Sequence, residues 1–293
     1  MESKLKVLVT GANGQLGQEI LYLEKEYPNL NLTFTDVEQL DITNNDAVDK
    51  FVTEGQFNFI INCAAYTAVD KAESDREKAF LLNAIAVDFL VDAANKIDAT
   101  LIQISTDYVF DGENNTPYGE DDGTFPQSVY GETKHEGEKL ILFSEIDALI
   151  IRTSWLYSSY GNNFVKTMLK LGNERDELNV VFDQIGTPTY ARDLGKGILD
   201  IVSRYEKFPN CKQREIYHYT NEGVASWYDL ASEIFRAKSI PCKVHAVESS
   251  AFPTPAKRPN FSVLNKSKIK KDFSLSIPHW VDSLKQMLKD LDN

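Results

Sequence analysis

The sequence predicts an α/β fold in which a doubly wound parallel sheet is followed by a smaller C-terminal lobe. Short apolar runs alternate with helical patterns through the first half, the order that gives parallel strands with helices on both faces. A glycine-rich turn joins the first run to a helix, and the second half is less regular. We expect a sheet domain at 1–154 with a return near 182–220, and the lobe at 155–181 and 221–293.

The composition is that of an acidic globular protein. The chain has 293 residues, of which 42% are hydrophobic, and a net charge of -13, so we expect no nucleic acid and no anionic membrane as a partner. Cys63, Cys211 and Cys242 are widely spaced, which predicts reduced thiols in a cytoplasmic protein. The histidines lack metal-ligand spacing, so we expect no metal, and we also expect neither a targeting leader nor a membrane span.

The glycine-rich turn follows residues 5–9, an apolar run typical of a buried strand. Glycine at these positions permits a sharp turn, close approach of the backbone to phosphates, and tight packing of helix on strand. With the helix N-terminus behind it, the turn predicts the pyrophosphate site of a Rossmann-type dinucleotide-binding domain. Glycine turns without a ligand are also common, so the alternative of a purely structural turn stays open. The candidate cofactor residues here are Gly11, Gly14, Gln15, Leu16 and Gly17.

The second and third strands supply further candidate cofactor residues. Asp36 follows a strand at 32–34, where an acid can accept hydrogen bonds from a ribose and would repel a 2′-phosphate, favouring NADH over NADPH. Asp36 could instead only cap a turn. Asp41 and Ile42 precede a helix that Thr43 or Asn44 would cap, near the expected adenine. After the third strand, at 57–62, small residues would let the backbone approach a cofactor or simply pack closely: Ala64, Ala65 and, beside them, Tyr66.

Polar side chains follow the fourth strand, which we expect at 99–105. Thr106, Asp107 and Tyr108 bring a hydroxyl, a carboxylate and a phenol to one strand end. Ahead of this strand we expect one long helix at 74–96, in which Asn83 stands among apolar residues and needs a hydrogen-bond partner.

Tyr130 and Lys134 lie one turn apart on a helix that begins near Ser128. Alone this pair would more readily indicate a solvated helix face. After a glycine-turn start and a hydroxyl at a strand end, it favours a catalytic pair. The second half then predicts strands at 148–152, 178–182 and 215–220, helices at 165–172, 191–203, from 227, and at 278–291, and a proline-rich basic loop at 252–259.

Several motifs together resemble the extended short-chain dehydrogenase/reductases, and within them the family of dTDP-4-dehydrorhamnose reductases. The broader resemblance rests on the segments at 10–17 (TGANGQLG), 105–110 (STDYVF) and 130–134 (YGETK). The narrower one rests on those at 64–73, 152–155, 161–164, 184–188 and 253–259. The resemblance covers nearly the whole chain.

The resemblance implies reduction of the C4 ketone of dTDP-4-dehydro-L-rhamnose by NADH or NADPH. Tyr130 would give the proton to the new alkoxide, Lys134 would lower the pKa of the phenol, and Thr106 would hydrogen-bond the carbonyl oxygen. The implied substrate residues are Thr106, Asp107, Tyr108, Trp155, Asn162, Asn163 and Arg258, and Arg258 could instead pair with an acid.

Two other functions stay open. The first is a non-catalytic subunit, since the regulatory subunit of methionine adenosyltransferase looks similar to this family; the intact set of Thr106, Tyr130 and Lys134 argues against it. The second is a sugar-nucleotide epimerase or dehydratase, although the Asp-Glu pair common in dehydratases is replaced by Asp107-Tyr108. Relatives of this kind include dimers, so a homodimer is a further expectation.

Overall fold

The fold is organised around a parallel sheet. The computed structural model describes residues 4–205 and 214–292, and six of the described strands form this sheet in the order β10-β5-β4-β3-β1-β2. Its members are β1 (Leu5–Thr10), β2 (Leu30–Thr35), β3 (Phe59–Asn62), β4 (Thr100–Thr106), β5 (Ala148–Thr153) and β10 (Arg214–His218). The remaining strands are short or paired outside it: β6 (Leu156–Tyr157), β7 (Glu177–Val181), β8 (Ile185–Gly186), β9 (Thr189–Tyr190), β11 (Ala225–Ser226) and β12 (Lys243–Val247).

Helices cover both faces of the sheet, which confirms the doubly wound α/β prediction. The described helices are α1 (Gln15–Leu23), α2 (Asn45–Gly55), α3 (Val69–Ala72), α4 (Arg76–Phe80), α5 (Ala86–Lys96), α6 (Val129–Leu142), α7 (Phe164–Glu174), α8 (Ala191–Ser203), α9 (Trp227–Lys238), α10 (Ser267–Phe273) and α11 (Trp280–Asp290). On one face, Ile20 of α1 and Ile198 of α8 pack in one core with Val7. On the other, Leu90 of α5 packs in a second core with Leu8.

Helix caps follow the expected side chains. Asn44, rather than Thr43, accepts a hydrogen bond from the Ala47 amide at the start of α2. Ser128 caps α6 through the Gly131 amide, and Ser226 forms a capping box at the start of α9. Each cap satisfies an amide that would otherwise lack a partner in the first helical turn.

The single long helix predicted at 74–96 is wrong in detail. The structure has α3, α4, a π-helical turn at Leu81–Ile85, and then α5. In the π turn, the Asn83 side chain accepts a hydrogen bond from the Tyr66 amide (2.9 Å) and donates to the Tyr66 carbonyl (3.1 Å) and the Thr133 hydroxyl (3.0 Å). Asn83 thus has the partners that its buried amide requires, and it ties the chain after β3 to α6.

The second half forms a smaller core of its own, in which Leu230, Ile234, Leu284 and Met287 are buried together. Beside it, β7, predicted at 178–182, pairs with β12, which the sequence analysis did not predict. The chain returns to the sheet through α8 and β10, while Phe273 of α10 also packs in the core on the sheet. The lobe boundary is therefore less sharp there than expected, and the division into domains stays a prediction.

Two glycines let α6 approach its neighbours closely. A Cβ atom at Gly131 would lie 2.3 Å from the Tyr108 carbonyl oxygen, and one at Gly137 would lie 2.2 Å from the Asn83 carbonyl oxygen. Both distances are shorter than any contact that a carbon and an oxygen can keep. The helix that carries Tyr130 and Lys134 is therefore seated against the π turn and against the loop after β4. In the described part of the chain, none of the helices has the length and apolar character needed to cross a bilayer.

Candidate active site

A groove opens at the carboxyl ends of β1, β3, β4 and β5. Its larger part has a volume of about 550 Å³ and the smaller part about 240 Å³, and Gly14, Cys63 and Ala65 line both. Open parallel sheets bind ligands at this edge. The predicted residues that line the groove are Gly11, Gly14, Gln15, Leu16, Asp36, Asp41, Ile42, Ala64, Ala65, Thr106, Asp107, Tyr108, Tyr130, Lys134, Trp155 and Asn162.

The glycine turn forms one wall of the groove. Gly11 has a left-handed φ of 65°, and a Cβ atom there would lie 2.6 Å from the Ala64 amide nitrogen. Gly17 lies beneath the turn, where a Cβ atom would come within 2.5 Å of the Gly11 carbonyl oxygen. Gly14 is the N-cap of α1 and has no side chain to satisfy the first amides of the helix. These amides are therefore available to an anion such as a pyrophosphate.

The smaller part of the groove contains Asp36. Its carboxylate accepts hydrogen bonds from the Asn13 amide (2.9 Å) and the Val37 amide (2.8 Å). Asp36 therefore does cap a turn, as the alternative interpretation proposed. Asp36 also lines the cavity, as do Asp41 and the buried Ile42. A carboxylate held by two amides beside a cavity is placed to accept hydrogen bonds from a ribose.

Tyr66 lies behind the wall rather than in it. Its phenol donates to Asp75 (3.2 Å), and its backbone is held by Asn83. Ala64 and Ala65 line the cavity beside it. Tyr66 itself is not among the residues that line the groove, and its predicted contact with the cofactor stays a prediction.

Tyr130, Lys134 and Thr106 converge at the end of β4. Lys134 is 4% exposed, and its Nζ donates to the Ile104 carbonyl oxygen (2.6 Å), which contradicts a solvated helix face. The Tyr130 ring meets the Tyr108 ring edge to face, with centroids 5.5 Å apart. Thr106 is buried at the last position of β4 and, like the other two, lines the larger part of the groove. A phenol, an ammonium and a hydroxyl thus face one cavity.

Burial controls the charges of these groups. Burial raises the pKa of Tyr130, and the Asp107 carboxyl adds to the increase, although the Thr106 hydroxyl beside the phenol lowers it. The raised pKa keeps this phenol neutral in the protein alone, and the effect of Lys134 on it stays a prediction. Burial lowers the pKa of Lys134 to about 8, against the opposing effects of Glu138 and Cys63. Near neutral pH the site holds a neutral phenol, which can give a proton, beside an ammonium.

Asp107 is a buried carboxyl that lines the groove. Burial raises its pKa to about 7, although the Thr106 hydroxyl lowers it by donating a hydrogen bond to Oδ1 (3.0 Å). The Thr106 Oγ1 in turn accepts from the Tyr108 amide (3.2 Å). These bonds fix the direction of the Thr106 hydroxyl at the end of β4.

Trp155 forms an apolar wall, as expected, but what supports it was missed by the sequence analysis. Its backbone is left-handed (φ 48°), and its indole stacks on that of Trp227. On Gly186 a Cβ atom would lie 2.7 Å from the Trp155 ring. The indole of Trp227 donates to Gln184 (3.0 Å). Gln184 and Gly186 belong to the segment 184–188 that contributed to the family resemblance. That segment was the sequence signal that could have pointed to the support of Trp155.

The remaining predicted substrate residues have different surroundings. Asn162 lines the groove. Asn163 caps α7 and donates to Gln15 (2.9 Å) and to the Ser158 carbonyl (2.7 Å), so it links the lobe to α1 rather than facing the cavity. Arg258 forms a 2.6 Å ion pair with Asp70 and lies 3.5 Å from the Tyr108 hydroxyl. Arg258 therefore does pair with an acid, as the alternative interpretation proposed, and it also lies beside the groove residue Tyr108.

Cysteines and potential metal ligands complete the account of the predicted groups. Cys63 and Cys242 are free thiols, Cys63 in the groove, and Cys211 lies outside the described residues. Within 4–205 and 214–292, no three His, Cys, Asp or Glu side chains are arranged to hold a metal ion. The absence of a metal stays a prediction.

The chain is similar to proteins of one family over almost its whole length. The family model described as "RmlD substrate binding domain" matches residues 5–293. A dTDP-4-dehydrorhamnose reductase of Escherichia coli K12 is 41% identical over 298 residues, covering 98% of each chain. A reductase of the same name from Aggregatibacter actinomycetemcomitans is 40% identical over 289 residues, covering 96% of this chain and 98% of the relative.

Solved structures are similar to the same extent. A dTDP-4-dehydrorhamnose reductase of Clostridium acetobutylicum superposes with a TM-score of 0.92 at 45% identity, covering 99% of this chain and 100% of that one. The Bacillus anthracis reductase, solved in complex with NADP, gives a TM-score of 0.91 at 38% identity, covering 98% and 99%.

Proposed function

The chain belongs to the dTDP-4-dehydrorhamnose reductase family, and we propose on that premise that it reduces the C4 ketone of dTDP-4-dehydro-L-rhamnose to dTDP-L-rhamnose with NADH or NADPH. The observation that supports this most strongly is the convergence of Tyr130, Lys134 and Thr106 on one cavity, which continues to the uncapped N-terminus of α1. A reductase needs a proton donor and a dinucleotide in the same groove.

Each of the three residues has a role that its surroundings support. When bound, NAD(P)H supplies the hydride. Tyr130 is neutral because it is buried, so its phenol can give a proton to the oxygen of the reduced carbon. The Thr106 hydroxyl would turn from Asp107, which accepts its proton in the protein alone, and donate to the same oxygen, in a bond that strengthens as negative charge develops there. Lys134 supplies positive charge, which stabilises the phenolate left behind.

The groove also fits the cofactor. The amides at the start of α1 and the backbone of Gly11 and Gly14 would hold the pyrophosphate, and Asp36 would accept hydrogen bonds from the ribose. A 2′-phosphate would meet the Asp36 carboxylate, so we expect a lower KM for NADH than for NADPH. The related Bacillus anthracis enzyme binds NADP, so both cofactors belong in the measurement.

The sugar nucleotide would occupy the outer part of the groove. Trp155 would contact the deoxysugar, and Asp107 and Tyr108 would border it. Arg258 shares one guanidinium nitrogen with Asp70, which leaves other N–H groups for the diphosphate. Asn162 lines the groove and would contact the same half of the substrate, whereas Asn163 would act by holding the loop that bears Asn162.

The alternatives are less well supported. A non-catalytic subunit would not need the buried set of Tyr130, Lys134 and Thr106. A similar fold is found in a dTDP-glucose 4,6-dehydratase at 16% identity, but likeness at that level shows the fold alone. We further propose a homodimer, on family resemblance, and a cytoplasmic location, on the free thiols of Cys63 and Cys242.

The test is NADH or NADPH oxidation with dTDP-4-dehydrorhamnose generated in situ. We expect stoichiometric formation of dTDP-rhamnose, identified by chromatography. Net consumption of the reduced cofactor separates a reductase from an epimerase or dehydratase, which would recycle it. Tight cofactor binding without turnover would favour the non-catalytic subunit. Light scattering after gel filtration would test the homodimer.

A further inference from the structure

Helix α6 makes a series of contacts with the last residues of β4. Tyr130, Lys134 and Glu138 follow one another at intervals of one turn, so they lie on the same face of α6. Lys134 donates to the Ile104 carbonyl (2.6 Å), and Glu138 accepts from the Ser105 hydroxyl (2.5 Å). The next residue of β4 is Thr106, whose hydroxyl lies beside the Tyr130 phenol. Helix α6 therefore contacts the end of β4 at three successive turns, with Tyr130 in the groove and Glu138 deepest in the protein.

Glu138 is the buried anion of this contact. It is 1% exposed, and both carboxylate oxygens pair with Arg152 of β5, Oε1 with Nε (2.9 Å) and Oε2 with Nη2 (2.7 Å). The His135 ring nitrogen lies 3.6 Å away. A buried ion pair often adds no more stability than apolar residues of the same size. This pair lies one helical turn from Lys134, where its charges act on the ammonium.

We propose that Glu138 is a positioning residue for the reduction: it keeps Lys134 in the ammonium form and seats α6 on β4 so that Tyr130 and Thr106 face the same substrate oxygen. Glu138 lies beneath the groove, and it acts through Lys134 and Ser105. The proposal rests on the proposed reductase function.

The charges around Lys134 support the electrostatic part. Burial lowers the pKa of Lys134 to about 8, and the Glu138 carboxylate is the largest effect in the opposite direction, followed by Cys63 at the end of β3. Tyr130 faces it from α6, Asp107 follows β4, and Arg152 lies behind Glu138 on β5. Burial raises the pKa of Glu138, but hydrogen bonds with Arg152 and His135 and the Arg152 charge lower it to about 2, so Glu138 is ionised near neutral pH. Without the carboxylate, burial and the Arg152 charge would both disfavour the ammonium.

The experiment is the pH dependence of kcat/KM for the full chain and for Glu138→Gln, since this profile reports the groups of the free enzyme. We expect the alkaline limb of the variant to move to lower pH by about one unit. We also expect kcat at neutral pH to fall about tenfold, with the Kd for NADH unchanged.

Glu19→Gln is the matched control. Glu19 is equally buried (0% exposed) and accepts hydrogen bonds from the Ser158 hydroxyl (2.6 Å) and Arg192 Nε (2.7 Å). The substitution therefore weakens a serine and an arginine bond, as Glu138→Gln does, but at a site away from Lys134. We expect it to lower the Tm without moving the alkaline limb. If both variants lost the same fraction of kcat and neither alkaline limb moved, the proposal would be overturned, because Glu138 would then be only structural.

A second variant covers the case in which Glu138→Gln does not fold. The double substitution Glu138→Leu with Arg152→Met removes both buried charges at similar volume, which such pairs commonly tolerate. Arg152 acts on Lys134 from behind Glu138, so losing both charges should still move the alkaline limb to lower pH, by less than in Glu138→Gln. A folded double variant with the wild-type alkaline limb would overturn the proposal. Ser105→Ala removes only the hydrogen bond to β4, so we expect a lower kcat with an unmoved limb. A wild-type chain without turnover would reject the reductase function itself.

Discussion

The indole rings of Trp155 and Trp227 stack with their centroids 3.5 Å apart and their planes 6° apart. Trp155 keeps a left-handed backbone, which costs a residue with a side chain of order 1–3 kcal/mol. The stack, worth about 0.5–1.5 kcal/mol beyond area burial, helps to hold the ring in the groove wall. The wall thus depends on a residue 72 positions further along the chain.

Trp227→Leu should therefore raise the KM for the sugar nucleotide about tenfold, because the Trp155 ring loses the surface that orients it. The Kd for NADH should stay the same, since Trp227 is not among the residues that line the groove. Stacked indoles also give an exciton couplet in circular dichroism, which should vanish in this variant. Trp227→Phe keeps an aromatic surface and should show a smaller effect; equal effects would argue against stacking as the cause.

Tyr130→Phe should lower kcat by about a hundred-fold to ten-thousand-fold, because the phenol is the proposed proton donor. The ring and its edge-to-face contact with Tyr108 remain, so the fold and the Kd for NADH should not change. Single-turnover kinetics with saturating NADH would measure the effect. Near-normal turnover would rule out Tyr130 as the donor.

Arg258→Met should raise the Kd for dTDP by about tenfold or more, if the guanidinium binds the diphosphate. The Tm should change little, since the ion pair with Asp70 is partly exposed. Asp70→Asn provides the contrast, because it releases Arg258 and should leave dTDP binding equal or tighter. Calorimetric titration would measure both. Unchanged binding in Arg258→Met would leave Arg258 as a structural partner of Asp70 only.

Asp107 should make the protein less stable as the pH rises from about 4 to about 7. Burial raises its pKa to about 7 in the folded protein, from the ordinary 3.8 that applies when the chain is unfolded. Between these values the folded state binds the extra proton, so the free energy of unfolding falls with pH, by a few kcal/mol at most. Below about pH 4, Asp107 is protonated in both the folded and the unfolded state. Above about pH 7 it is ionised in both, and the full free-energy cost of burying its charge lowers the stability.

Asp107→Asn should remove that pH dependence. Its Tm should exceed that of the wild type near pH 8 and approach it near pH 4, because an amide stays neutral throughout. Thermal unfolding across this range would measure the difference. Parallel Tm curves for the two proteins would contradict a raised pKa at Asp107.

Much of the fold could be predicted because the deciding signals are local. The glycines after β1 are close together in the sequence. Ser128 and Ser226 lie directly before the helices that they cap. Tyr130 and Lys134 are one turn apart on the same helix, so their shared face follows from helix geometry. Their meeting with Thr106 follows from the edge at which parallel strands end. The chemical roles of these residues stay predictions.

What was missed depends on partners far along the chain. The π turn contains Asn83, whose hydrogen-bond partners are Tyr66 and Thr133, and nothing in residues 74–96 specifies either. The ring beneath Trp155 belongs to α9. Apolar periodicity carries no information on such pairings, since it marks which face is buried but not what it meets.

The glycines of α6 bear on any attempt to redesign this enzyme. Even one methyl group at Gly131 or Gly137 would collide with a main-chain oxygen, and main chain cannot rotate aside as a side chain can. Broadening the substrate range should thus succeed by substitutions at Trp155 or in the segment 252–259 that contains Arg258. Libraries that vary positions 131 and 137 should return glycine, whatever sugar is used for selection.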